Sequence, residues 1–283
     1  DGVVGFSRYV ADYMRQWGGV EAIHVPISLL DPGPYPYLGR FDNQFVTLVN
    51  PCAVKGISIL LSLAEAMPEV KFAAVPTWGT NQEDMAALRK HSNIRVLEPV
   101  DDIDKLFALT RVLLVPSLWA EARSRIVSEA MLRGVPVLGA NVGGLPEAML
   151  GVDYLLPVRP IEQYRRRLDE QMVPIAEVPE QDIGPWRRAL HQLVTDRERY
   201  ERLSGLSREK ALAYAASLSV EPFERYLEET LRASGRIRAA GKDKAAEPEV
   251  AQSALERLSP EKRRLLALRL RKKTVEAPSA DPW

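Results

Sequence analysis

The sequence is poorest in cysteine. Cys52 is the only one among 283 residues, which excludes a disulfide within the chain and a zinc site built on four cysteines. Net charge is also missing: 38 Lys plus Arg balance 38 Asp plus Glu. The strongly basic footprint of a nucleic-acid binder is therefore absent, and a phosphate must be held locally, by a loop and a few cations. No apolar run approaches the ~18 residues of a membrane-spanning helix, and no signal-peptide pattern appears at the start. Peripheral contact with a membrane face stays open. Histidine is scarce: His24, His91 and His191 are scattered without metal-ligand spacing, so no metal is expected. The lone thiol fits a reducing, cytoplasmic setting. The first residue is Asp1 rather than Met, and a strand-like stretch, Val3 to Phe6, follows at once. We expect a piece of a longer protein.

What is present is apolar material, 46% of the chain, enough for one large α/β domain or two small ones. From Phe45 onward, short β-branched runs alternate with amphipathic segments: Phe45 to Val49, Phe72 to Val75, Ile94 to Leu97, Val112 to Val115 and Val135 to Leu138 read as strands, with helices between them. This alternation predicts an α/β fold, a doubly wound parallel sheet, whose ligands bind outside the carboxyl ends of the strands. Arg8 to Trp17 reads as a helix and Ala22 to Pro26 as a strand. After about Pro157 the pattern turns helical, over Trp186 to Val194, Asp196 to Ser204 and Val220 to Arg232. The expected division is a crossover segment over 1–37, a ligand-binding domain with closing helices over 38–231, a flexible linker over 232–254, and an amphipathic helix with a disordered tail over 255–283.

Three segments carry candidate chemistry. Pro116 to Met131 lies between a strand and a helix and holds two carboxylates eight residues apart, Glu121 in the loop and Glu129 in the helix. A carboxylate accepts two hydroxyl hydrogens at once, which suits the vicinal diols of a ribose or hexose. The backbone N–H groups around Arg123, Ser124 and Arg125 would stand at a helix start, ready for a phosphate. The bland alternative is a solvated loop glutamate beside an ordinary helix glutamate. Asn50 to Gly56 follows a strand, and Lys55 can place its ammonium on a diphosphate while Gly56 permits close approach; a plain surface lysine is the alternative. Val142 to Glu147 contains Gly143 and Gly144, which either let backbone approach a ligand or make a tight turn. Trp78 reads first as a packing residue. Trp119 is equally a wall of a sugar pocket or a side chain packed under the sheet.

In order and placement these segments resemble the retaining GT-B glycosyltransferases often called family 4, over roughly Val3 to Leu231, the carboxyl-terminal half of such an enzyme. The E-x7-E spacing matches at Glu121 and Glu129, and Glu129-Ala130-Met131 followed by Gly134-Val135-Pro136 also looks like the family. Val3 to Val25 resembles the crossover from the first domain. The resemblance implies a Rossmann-like nucleotide-sugar-binding domain with a helical carboxyl-terminal extension. It also implies transfer of a sugar, hexosyl-like, from a UDP- or GDP-linked donor with retention, and no separate cofactor. Glu121 would contact the transferred sugar and is the candidate catalytic residue. Glu129 would contact the ribose and Lys55 the diphosphate, and the loop from Pro99 and Val100 would seat the base. Two departures stand out. Many members have an arginine where Asn50 stands, and many read Glu-Gly-Phe-Gly where this chain has Glu121-Ala122-Arg123-Ser124; Arg123 or Arg125 would supply the charge instead. The expected partner is a missing amino-terminal domain of the same protein, without which the chain would be inactive. Rival readings are a non-catalytic nucleotide-binding or scaffold domain and a nucleotide-sugar epimerase.

Overall fold

The computed structural model describes residues 2–26, 30, 33–170 and 172–233. From residue 234 on, the expected linker and amphipathic helix lie outside the described residues.

The chain opens with a small β-α-β unit: β1 (Val3–Gly5), α1 (Arg8–Gly18) and β2 (Ala22–His24), the two strands pairing parallel. The Ser7 hydroxyl accepts the Val10 N–H and caps α1, and Gly19 ends it in the left-handed region, the usual pair of stop and start signals.

The main sheet is built from β3 (Phe45–Val49), β4 (Phe72–Val75), β5 (Ile94–Val96), β6 (Thr110–Val115), β7 (Val137–Ala140) and β8 (Leu155–Leu156), in the order β5-β4-β3-β6-β7-β8. All five pairings are parallel. Parallel strands are covered on both faces, and β4 and the end of β6 are accordingly buried residue after residue. The connecting helices are α2 (Ile57–Ala66), α3 (Gln82–Leu88), α4 (Ile103–Phe107), α5 (Arg125–Leu132) and α6 (Leu145–Ala148). Leu60, Leu63, Phe72, Phe107, Leu113 and Leu114, each 1% exposed or less, mark the core between sheet and helices. The order of strands reverses direction between β3 and β6, the point at which a doubly wound sheet opens a crevice at its carboxyl ends.

Past β8 the structure departs from the helical expectation. Residues Tyr164–Leu168 (β9) and Pro174–Ala176 (β10) form an antiparallel hairpin outside the main sheet. Every residue of β9 is exposed, so its pattern carries almost no periodic apolar signal. The closing helices are α7 (Gly184–Thr195), α8 (Arg197–Ser217) and α9 (Glu221–Ala233). α8 runs well past the expected Ser204, because its polar residues still present Tyr200, Leu203, Ser207 and Ala211 to the buried side against α5.

Candidate functional site

The crevice between β3 and β6 is made by two loops, one after each strand. In the first, Val49 hands over to Asn50, whose φ of 60° lies in the left-handed region that asparagine tolerates. Asn50 is 4% exposed. Its Oδ1 accepts the Gly79 N–H at 3.0 Å and the Thr80 hydroxyl at 3.5 Å, so it ties this loop to the one after β4. Its Nδ2 is buried without a partner in the structure. A single 3-10 turn, Ala53–Lys55, precedes Gly56 at φ 78°. A Cβ on Gly56 would stand 2.0 Å from the Pro116 carbonyl oxygen. The close approach that this glycine permits is therefore to the second loop.

The second loop, from Pro116 to Ser124, is held along its length. The Leu118 N–H donates to the Val54 carbonyl at 2.9 Å and the Gly144 N–H to the Glu121 carbonyl at 2.7 Å. The Ser7 hydroxyl donates to the Ala122 carbonyl at 2.6 Å. The paired glycines serve the same purpose: a Cβ on Gly143 would lie 2.7 Å from the Ala120 backbone, and one on Gly144 2.2 Å from the Ala122 carbonyl oxygen. They press against the acidic loop rather than forming an isolated turn.

The loops bring Lys55 and Glu121 together. Lys55 Nζ is 2.8 Å from Glu121 Oε1 and 5.5 Å from the centroid of the Trp119 ring. Glu121 is 7% exposed, and the Ser117 hydroxyl donates to the same Oε1. Lys55, Ser117, Glu121 and Ser124 line a cavity of about 30 Å³ floored by β3 and β6 residues. That holds about one water and is too small for a hexose.

The remaining expected residues are distributed around this pair. Ser124 is the N-cap of α5 but makes no capping bond with its side chain, which leaves the first N–H groups of α5 to other partners. Glu129, one turn in, pairs with Arg125 Nε at 3.1 Å and is not among the residues lining the 30 Å³ cavity. Arg125 is mostly exposed. Arg123 turns the other way: its guanidinium lies 3.4 Å from Glu147 Oε1 and 4.5 Å from the Tyr214 ring centroid. Glu147 also accepts the Arg8 N–H at 2.8 Å and stands 3.5 Å from His24 Nε2, joining the first β-α-β unit to the sheet domain. Burial is the main cause that lowers the His24 pKa, against the raising influence of Glu147. Pro99 and Val100 are exposed in the loop after β5.

Sequence reasoning missed one wall of the crevice. A cavity of about 350 Å³ is lined by Val54, Trp78, Trp119, Tyr164, Met172, Val173 and Pro174. Three of these belong to the loops at the strand ends and four to the hairpin. The hairpin's far end is fastened at the start of α3, where the Gln82 N–H donates to Glu170 at 2.9 Å and Asn81 Nδ2 to Asp169 at 3.5 Å. The sequence carries little signal for it, since Tyr164 and Leu168 flank three consecutive arginines ahead of the polar Asp169 and Glu170.

Residues 45–170, the span from β3 to the hairpin, match the family model described as Glycosyl transferases group 1. The parallel sheet with flanking helices is the fold that this chain shares with solved glycosyltransferase structures. A Klebsiella pneumoniae protein described as an uncharacterized 42.6 kDa protein in the cps region is 26% identical over 152 residues, covering 52% of this chain and 40% of that one. Spore coat protein SA of Bacillus subtilis is 29% identical over 129 residues, covering 40% of this chain and 34% of that one. The structure of Alr3699/HepE from Anabaena, in complex with UDP and glucose, superposes with a TM-score of 0.56 at 18% identity, over 82% of this chain and 63% of that one. The chain thus spans 40% and 34% of the length of these two curated relatives. No helix among the described residues is long and apolar enough to cross a membrane.

Proposed function

We propose that this chain is a GT-B domain, the donor-binding half of a retaining glycosyltransferase that takes a UDP- or GDP-linked sugar. The observation that carries the reading is the Lys55–Glu121 pair, 2.8 Å apart, at the carboxyl ends of the two strands where the sheet order reverses. One group is built to receive a diphosphate and the other to receive sugar hydroxyls, and they sit side by side. The neighbour HepE holds UDP and glucose in its structure, which supports the same ligand class here.

In the reaction the bond from the anomeric carbon to the diphosphate breaks, and a bond from an acceptor hydroxyl oxygen to that carbon forms. The acceptor proton passes to the departing phosphate. Negative charge grows on the leaving diphosphate, so a preorganised cation there lowers the barrier. Lys55 supplies that cation once it leaves Glu121, and the N–H groups at the start of α5 supply further donors. Glu121 then accepts from sugar hydroxyls. Glu129 holds the ribose, and the exposed loop at Pro99 and Val100 seats the base. Attack on the face vacated by the phosphate gives retention without a protein nucleophile. The acceptor-binding half is a further domain of the same protein, and this chain alone transfers no sugar.

Asn50 favours a second reading, a domain that binds nucleotide weakly without catalysis. Its side chain is committed to Gly79 and Thr80 and adds no charge to the phosphate site. Calorimetric titration with UDP, GDP and their sugars separates the two. Saturable binding of a sugar nucleotide, weakened by about 1–3 kcal/mol in Glu129→Ala through lost charged hydrogen bonds, supports the donor domain. An intact fold that binds none of the four ligands refutes it.

A further inference from the structure

The hairpin wall raises a question that the donor reading does not answer. The 350 Å³ cavity has the volume of a small-molecule site, and it opens beside the reactive pair, since Trp119 lies under the Lys55 ammonium and two residues before Glu121. Its lining is three aromatic rings with Val54, Met172, Val173 and Pro174, and it contains no charged side chain. A hexose placed there would bury hydroxyls against carbon with almost nothing to receive them, at a cost of about 1–3 kcal/mol for each unpaired group. A nucleobase edge meets the same difficulty. The lining does offer one buried donor without a partner, the Trp119 indole N–H. A group that fits has a hydrocarbon body and needs at most an isolated acceptor oxygen.

We propose that this cavity is an acceptor subsite for an alkyl or aryl group, and that β9 and β10 supply its outer wall. This inference rests on the donor reading only for the word acceptor; the preference for a hydrocarbon group stands on the lining alone. The consequence is that part of acceptor selection resides in this chain, in a hairpin that stands apart from the sheet carrying Lys55 and Glu121. Trp78, 57% exposed, has a place in such a site, because a large aromatic side chain left open to solvent beside a cavity gains from being covered.

The test uses the whole chain and follows the indole N–H resonances of Trp78 and Trp119 by NMR, assigned with Trp78→Phe and Trp119→Phe. The probes are octyl β-D-glucoside below its micellar concentration, methyl β-D-glucoside and UDP. Saturable shifts of both resonances with the octyl compound, and none with the methyl compound, are expected. Tyr164→Ala and Val173→Asp should each weaken the octyl response by about tenfold, the effect of removing one good contact. Both positions lie outside the sheet, and unchanged thermal melting verifies that the variants are folded. Equal responses to the two glucosides would overturn the proposal, as would octyl shifts indifferent to both variants. Displacement of the octyl compound by UDP from these two resonances would assign the cavity to the nucleotide and overturn it as well. Calorimetry with UDP runs separately: loss of UDP binding with the octyl response intact refutes the donor reading alone.

Discussion

The loop from Pro116 to Ser124 and the hairpin of β9 and β10 face one another across a cavity, yet they are made in opposite ways. The loop is fixed by backbone contacts on both sides, from Val54, from Gly143 and Gly144, and from Ser7. The hairpin is exposed along β9 and fastened at its far end by contacts of Asp169 and Glu170. The loop places Glu121 beside Lys55 of the neighbouring strand-end loop, the pair that the donor reading assigns to sugar and phosphate. The hairpin contributes Tyr164, Met172, Val173 and Pro174 to the cavity, groups that act mainly through area rather than direction. A change in the loop should therefore damage fold and nucleotide binding together, whereas a change in the hairpin should leave both intact and alter only what the cavity takes.

The strongest way to break that contrast is Gly56→Ala. It sets a Cβ 2.0 Å from the Pro116 carbonyl oxygen at a residue with φ 78°, and should cost about 3 kcal/mol in urea unfolding. A cost under 1 kcal/mol would mean that the two strand-end loops are not rigidly joined. Next comes Lys55→Ala, expected to weaken UDP or GDP binding by about 1.5–3 kcal/mol, the worth of a hydrogen bond to a charged group. The same titration on Tyr164→Ala should give the unaltered affinity.

A smaller effect probes the fastening of the hairpin. Burial first, opposed by the hydrogen bond from the Asn81 backbone and reinforced by Asp169, Glu83 and Glu170, raises the Asp84 pKa to about 6. A carboxyl whose folded pKa lies above its unfolded value of 3.8 binds its proton more tightly when folded. It therefore burdens the fold above about pH 6, and the burden fades as pH falls toward 4. Asp84→Asn should raise the melting temperature at pH 8 and leave it unchanged near pH 4, as thermal melts at the two values would establish. The smallest effect is expected for Leu168→Ser, about half exposed on β9, with a change within about 0.5 kcal/mol.

The parallel sheet was legible because continuous apolar runs such as Val112 to Val115 and caps such as Asp102 and Asp196 act over a few residues. The positions of Lys55 and Glu121 were legible for the same reason, each lying just past a strand. Their contact was not, since it depends on how Gly56 and Gly144 bring separate loops within van der Waals range. Arg123 was expected near a phosphate and instead faces Glu147 and Tyr214, partners far away in sequence. The hairpin escaped because a strand exposed on both faces has no alternation of burial to betray it. Whether Glu129 and the Pro99–Val100 loop meet a nucleotide rests on a ligand's path across the crevice, and the amino-acid order does not encode that path by itself.

Under the donor reading, the 2.8 Å contact between Lys55 and Glu121 also imposes a sequence of events. A free monosaccharide carries nothing that competes for an ammonium, so it finds one carboxylate oxygen of the glutamate already engaged. A pyrophosphate carries such a rival anion, and by drawing the lysine away it uncovers the carboxylate for the sugar that travels with it. On that reading the contact favours a hexose that arrives attached to its leaving group.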